Sequence, residues 1–178
     1  MAKQERLQSV VEPYAYFRQA EAFALTALAA RAKRNEVGDD AAILLLPQTV
    51  CSAFAVEMYL KCWSVIEGRQ PLRTHDLRDL YNDIQDVEAK RLIKLIFEAQ
   101  NGASFANWKL NGPDPSKVPK DFEEALVFSS TAFVKIRYHM EYDGSVGYWL
   151  SSLPSLLRMT LVGKVPEWNG DPEALYGP

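Results

Sequence analysis

The stretch Ala53–Trp63, AFAVEMYLKCW, decides the fold. Read outward to Gln48 and Ile66, it has no period-two alternation and is rich in residues that tolerate helical geometry, so it predicts an interior helix. Glu57 and Lys61 are the only charges between Val50 and Ser64. They lie at i and i+4, on one helix face and in the favourable order, with the acid on the N-terminal side. Apolar side chains surround both, so the pair is expected to be at least half buried, and buried charges require partners. Gly68 stands where a helix would be closed by a left-handed residue. Upstream, Pro47 leaves two possibilities: a kinked helix running from Asp40 to Glu67, or a helix that begins near the proline.

Helical patterning continues on both sides. Residues from about Glu5 to Asn35 are dominated by Ala, Leu, Arg, Glu and Gln, with Pro13 marking a first turn or a kink. After Arg69–Thr74, the run Thr74-His75-Asp76-Leu77 reads as a helix start capped by Thr74 or Asp76. Leu77, Leu80, Tyr81 and Ile84 follow at helical spacing. Another helix is predicted from Asp86 to Glu98. Residues 101–119 hold two Asn-Gly pairs and Pro113, Pro115 and Pro119, and predict a long loop pinned to the body by Phe105 and Trp108. Asp121 opens a helix whose stripe is Phe122, Leu126, Ser129, Phe133, Ile136 and Met140. Asp143-Gly144 interrupts it, and Tyr148–Leu161 forms a last apolar helix with Pro154 inside. The expected fold is all-α, an antiparallel bundle of about five to six helices over residues 1–162, with an irregular tail over 163–178.

Composition narrows the function. The chain has 178 residues, 48% of them apolar, and a net charge of −3. That is an ordinary globular balance without a basic body able to grip nucleic acid through phosphates alone. Local basic groups (Arg31, Lys33 and Arg34; Arg69, Arg73 and Arg78; Lys90, Arg91 and Lys94) read as solvated helix faces. The polar opening MAKQERLQSV does not resemble a secretory signal, and no uninterrupted apolar run reaches the roughly 18 residues of a membrane span. A cytoplasmic protein with no membrane attachment is therefore expected. Cys51 and Cys62, eleven positions apart on one helix, would be about 16 Å apart along its axis, too far for a disulfide. With two histidines in the chain, a His/Cys metal cluster is not expected, and no cofactor is implied. There is no Walker loop and no G-x-G-x-x-G, and Gly144-Ser145-Val146-Gly147 lacks the spacing of a nucleophile elbow. Asp39-Asp40 and Glu123-Glu124 read as charges favourable at helix starts.

A second polar group is Arg137-Tyr138-His139-Met140-Glu141-Tyr142, with Arg137 and Glu141 at i and i+4 beside the Phe133 stripe. Three pieces then stand in order: Glu57-Met58-Tyr59-Leu60-Lys61 on an apolar helix, His75-Asp76-Leu77-x-x-Leu80 after a short loop, and Phe133-Val-Lys-Ile-Arg137-Tyr138 with Glu141 on a late helix. Over roughly Pro47 to Tyr142 this order resembles the HEPN family, the higher eukaryotes and prokaryotes nucleotide-binding domain. The resemblance implies an antiparallel helical bundle that dimerises. Many members are ribonucleases or toxins in which an arginine is followed, four to six residues later, by a histidine on the late helix. Two such motifs meet across the dimer, the His moving a proton and the Arg holding the RNA phosphate.

Here only one residue separates Arg137 from His139. Residues at i and i+2 point roughly 200° apart on a helix, so these two cannot converge on one phosphate from the same helix. Arg69 and His75 do have five residues between them, but across a proline-containing loop, and that match reads as coincidence. Two readings follow. In one, Glu57, Lys61, His75, Arg137 and Glu141 form a polar network in a non-catalytic homodimeric module. It would bind RNA, a nucleotide or a partner such as a nucleotidyltransferase-type antitoxin, in a prokaryotic toxin–antitoxin or defence system. In the other, the chain is a metal-independent endoribonuclease whose Arg137 works with His139 or His75.

Overall fold

The computed structural model describes residues 12–37, 42–130 and 148–169. Among them are six α-helices and no strand: α1 (Pro13–Glu36), α2 (Leu45–Ile66), α3 (Leu77–Asp83), α4 (Val87–Asn111), α5 (Phe122–Ser129) and α6 (Leu153–Lys164). The all-helical class is as expected. Pro13 takes the first turn of α1, where its missing N–H costs nothing. Pro47 falls in the first turn of α2, so the second of its two possibilities holds: the helix begins close to the proline rather than kinking around it.

Helix ends follow local chemistry. At the C-terminus of α2, Gly68 has a φ of +74°. The Gly68 amide donates to the Val65 carbonyl and the Arg69 amide to that of Ser64, the paired bonds of a Schellman motif. Asp76 caps α3 by accepting from the Arg78 and Asp79 amides, while Thr74 accepts from the Asp76 amide, so Asp76 is the cap and Thr74 supports it. Asp86 caps α4 through Ala89, and Asp121 caps α5 through Glu124, with Glu123 and Glu124 in that first turn as expected.

Three boundaries differ from the sequence reading. The loop predicted over 101–119 is helix as far as Asn111; a single 3-10 turn, Pro115–Lys117, interrupts the connection that remains. Phe105 lies eight residues after Phe97 on the same buried side, and its ring meets Phe97 at 6.1 Å and Trp149 at 5.8 Å. Asn101 donates back to the Phe97 carbonyl, inside the helix, and across to Ser152 at 2.9 Å. Tertiary packing thus outweighs the roughly 1 kcal/mol helix penalty of Gly102. Trp108 is half exposed, its edge against Trp149. The last helix does not enclose Pro154 but begins beside it, at Leu153, because proline is accommodated only in a first turn. It continues to Lys164, past the predicted boundary of the tail. A 3-10 turn, Pro166–Asn169, follows and sets Trp168 against Phe17 at 4.9 Å.

Cross-helix contacts define the packing. Cys62 meets the Pro13 carbonyl, Tyr59 meets Phe17 and Glu21, and Phe54 stacks on Phe23, so α1 and α2 are antiparallel. Residues Asn101–Ser152 and Asp86–Lys164 pair α4 antiparallel to α6. Tyr81 packs on Phe122, and Leu77 donates to the Ser130 carbonyl, pairing α3 antiparallel to α5. Trp63, Tyr59, Phe17, Phe97, Phe122 and Leu126 fill one core. Each contributes on the order of 1.5–3 kcal/mol by leaving water.

Taken whole, Ala42–Ile66 is long and apolar enough to cross a bilayer by length and mean hydropathy (1.5), although no single uninterrupted run within it is. A helix apolar on all sides is an interior helix or a membrane span. In this chain Ser52 to Ser64 lies mostly in the protein core and the Glu57 charge is satisfied there.

Candidate functional site

The polar site begins with Glu57. Glu57 is almost completely buried, at 1% exposure. One turn on, Lys61 donates to a Glu57 carboxylate oxygen at 2.7 Å while keeping 14% of its own side chain exposed. The Schellman turn at Gly68 reverses the chain, and the connection Arg69–Asp76 carries it back to the start of α3. The Asp76 cap places His75 just outside that helix, with its Nδ1 at 3.0 and 3.1 Å from the two Glu57 oxygens. The His75 side chain is 55% exposed, so the pair joins a buried carboxylate to a ring that faces solvent. A carboxylate removed from water costs several kcal/mol unless neighbours replace its hydration, and Lys61 and His75 do so here.

The structure therefore brings together Glu57, Lys61 and His75. Arg137, His139 and Glu141 lie outside the described residues, as do Phe133, Ile136, Met140 and the Asp39-Asp40 pair. The last described residue before that segment, Ser130, accepts from Leu77, two positions from His75. Arg69 and His75 do not converge. The Arg69 guanidinium bonds Asp83 at 2.5 Å, the Asp83 carbonyl at 2.6 Å, and Glu67. Burial would lower its pKa, but Glu67 and Asp83 outweigh that and raise it. Glu67 also receives the Gln85 and Asp86 amides, so this cluster ties the end of α2 to the α3–α4 junction. Of the other basic groups, Arg73 and Arg78 are exposed beside His75.

A polar network that sequence reasoning missed links three helices. Glu21, buried on α1, accepts from the Tyr59 hydroxyl and from Arg158 of α6 at 3.0 and 3.1 Å. Burial, then the Glu21 bond, pushes the Tyr59 hydroxyl far above the ordinary tyrosine range. The signal was present on α1: Phe17, Ala20, Glu21, Ala24 and Ala27 recur at steps of three and four, and Glu21 is the charge inside that stripe. Nothing in the sequence pointed to Arg158 as its partner.

Both cysteines are free. Among the described residues, no three His, Cys, Asp or Glu side chains gather closely enough to hold a metal ion. Chemically, the Glu57 cluster can hold an imidazole in fixed orientation at the surface and present cationic groups around it. Compared with family models, curated proteins and solved structures, the chain finds no match in any of the three.

Proposed function

We propose that this chain is a HEPN-like helical module that works by binding rather than by catalysis, as a homodimer, with RNA as its ligand in a prokaryotic toxin–antitoxin or defence system. The observation that carries the reading is the Glu57–Lys61–His75 cluster. It joins two of the three sequence pieces that resemble HEPN, and it uses His75 to tie α3 to a buried carboxylate. Exposed Arg73 and Arg78 flank His75 in the sequence and suit phosphate contacts. The one-residue spacing of Arg137 and His139 supports binding over cleavage. For the homodimer, the support is the apolar surface that the α1–α2 hairpin leaves exposed: Leu28 and Ile43 are 54% and 71% exposed, and Leu25, Leu45 and Leu46 are exposed as well. Large exposed apolar side chains suit an association surface.

A second reading has its own observation: a carboxylate bonded to a histidine ring is the arrangement that orients a general base. In that reading the protein is a metal-independent endoribonuclease using Arg137 with His75 or His139.

The test incubates the purified protein with transfer RNA and mixed messenger RNA in chelator, beside Arg137→Ala, His139→Ala and His75→Ala variants, and measures retention of the same RNA at low and high salt. Intact RNA with salt-sensitive retention, weakened in Arg73→Ala/Arg78→Ala, supports the binding module. Cleavage lost in Arg137→Ala establishes the enzyme instead. Neither cleavage nor retention removes RNA as the ligand and leaves a nucleotide or a partner such as a nucleotidyltransferase-type antitoxin.

A further inference from the structure

On α4 the core side is made by Ala89, Ile93, Phe97 and Phe105. The side of a surface helix turned away from its core is ordinarily polar. Here it is apolar for most of the helix. Leu92, Leu95, Ala99, Ala103, Ala106 and Leu110 recur at steps of three and four opposite the core side, and all six are exposed. Leu92, Leu95 and Leu110 are 43%, 57% and 83% exposed. Glu88, one turn before Leu92, is the one charge in line with them. This row belongs to a helix packed on α5 and α6, apart from the α1–α2 hairpin.

Shape selects the occupant. The first half of the row projects as two leucines, whereas Ala99, Ala103 and Ala106 make its second half flat as far as Leu110. A second α4 laid antiparallel on the first, about a two-fold axis near Ala99, sets Leu92 over Ala106 of the copy and Leu95 over its Ala103. The symmetry repeats both contacts in the other direction. The row is thus its own complement, with large side chains meeting small ones on either side of the axis. At the axis, alanine faces alanine and the helices can approach closely.

Charge and area agree with this pairing. In the same register Glu88 stands against the last turn of the other helix, which carries Lys109. Glu88 holds Arg91 of its own helix through Oε2, so Oε1 can accept from Lys109 of the copy. Residues Glu88–Leu110 span about 33 Å, and half the circumference of a helix is about 16 Å wide. The strip therefore covers roughly 500 Å2 on each copy, or about 1,000 Å2 in all, which reaches the lower limit for a specific interface.

We propose that the outward face of α4 is an interface between two copies of this chain, packed antiparallel with Ala99 near the two-fold axis. The contact does not depend on RNA. It is also separate from the hairpin surface, and pairing both would link more than two copies.

The test places a thiol on the axis. Ala99→Cys, in a full chain that also carries Cys51→Ser, is oxidised with diamide under native conditions and resolved on a non-reducing gel. Each new thiol faces its own copy, so a disulfide-linked dimer is expected. It should form at least about tenfold faster than in Gln100→Cys, whose exposed side chain lies about 100° round the helix, because association raises the effective concentration of the facing thiols. Adding Leu95→Lys should bring the rate down to that of Gln100→Cys while leaving helical circular dichroism and the unfolding temperature unchanged, since Leu95 is exposed. Adding Leu28→Lys, on the hairpin, should leave the rate as it was. A rate in Ala99→Cys no higher than in Gln100→Cys overturns the proposal and leaves this face to a different protein. A rate lowered by Leu28→Lys and not by Leu95→Lys overturns it too, and places the contact on the hairpin instead.

Discussion

Replacing Glu57 by Ala removes the acceptor shared by Lys61 and His75 and leaves the Lys61 ammonium in a largely apolar setting. Deleting one partner of a fully buried ion pair costs about 3–5 kcal/mol. Two features of this site reduce that figure. Lys61 keeps 14% of its side chain exposed and can extend its ammonium toward water. The His75 ring, 55% exposed, regains solvent without rearrangement. The expected loss for Glu57→Ala is therefore about 2–3 kcal/mol. For a chain of this size that is roughly 5–10 °C in unfolding temperature. Glu57→Gln, which keeps the shape and one carbonyl acceptor, should lose about half as much. The assay is urea denaturation followed by helical circular dichroism, for Glu57→Ala, His75→Ala and the double variant. The cycle should return a coupling of about 0.5–1 kcal/mol, small because the His75 side of the bond is solvated. A Glu57→Ala variant within about 0.5 kcal/mol of the parent would refute the reasoning, since a carboxylate this deeply buried cannot be both essential to its partners and dispensable.

Three further outcomes follow from particular residues. Gly102→Ala should stabilise the protein by about 0.5–1 kcal/mol, because the added Cβ meets nothing within 4 Å inside a continuous α4; destabilisation in a urea titration would place a break there. Asp86→Ala should cost about 1 kcal/mol at neutral pH by uncapping α4 and releasing Lys164. The Ala89 amide, then Lys164, hold the Asp86 carboxyl below the usual carboxylate range. Its contribution is thus present above the unfolded pKa of about 3.9 and lost as pH falls toward the folded value, so the deficit of the variant should shrink on acidification. Urea curves at neutral pH and near pH 3 with equal deficits would contradict this. Burial pushes the Cys62 thiol up to about 12 and raises that of the partly exposed Cys51 as well. A disulfide-exchange reagent at mildly alkaline pH should therefore modify Cys51 slowly in the native protein and reach Cys62 only on unfolding, and native Cys51→Ser should stay unlabelled.

The helices and their caps were legible because their causes are local. Ala53–Trp63 can bury itself only as a helix apolar on nearly every side, Gly68 alone at its end adopts the left-handed turn without strain, and Asp76, Asp86 and Asp121 each stand where three amides need an acceptor. The Glu57–Lys61 pair was visible for the same reason, since one helical turn sets its spacing. Tertiary structure decided whatever depends on residues far apart in the chain. Asn101-Gly102 signals a break by propensity, yet α4 continues because Phe105 finds Phe97 and Trp149 waiting in the core. Glu21 and Arg158 stand 137 positions apart, and Arg69 reaches Asp83 across a reversal of the chain. Propensity and periodicity act over a turn or two, whereas these pairings exist only once whole helices have packed, and it is packing that makes a solvated charge into a buried one.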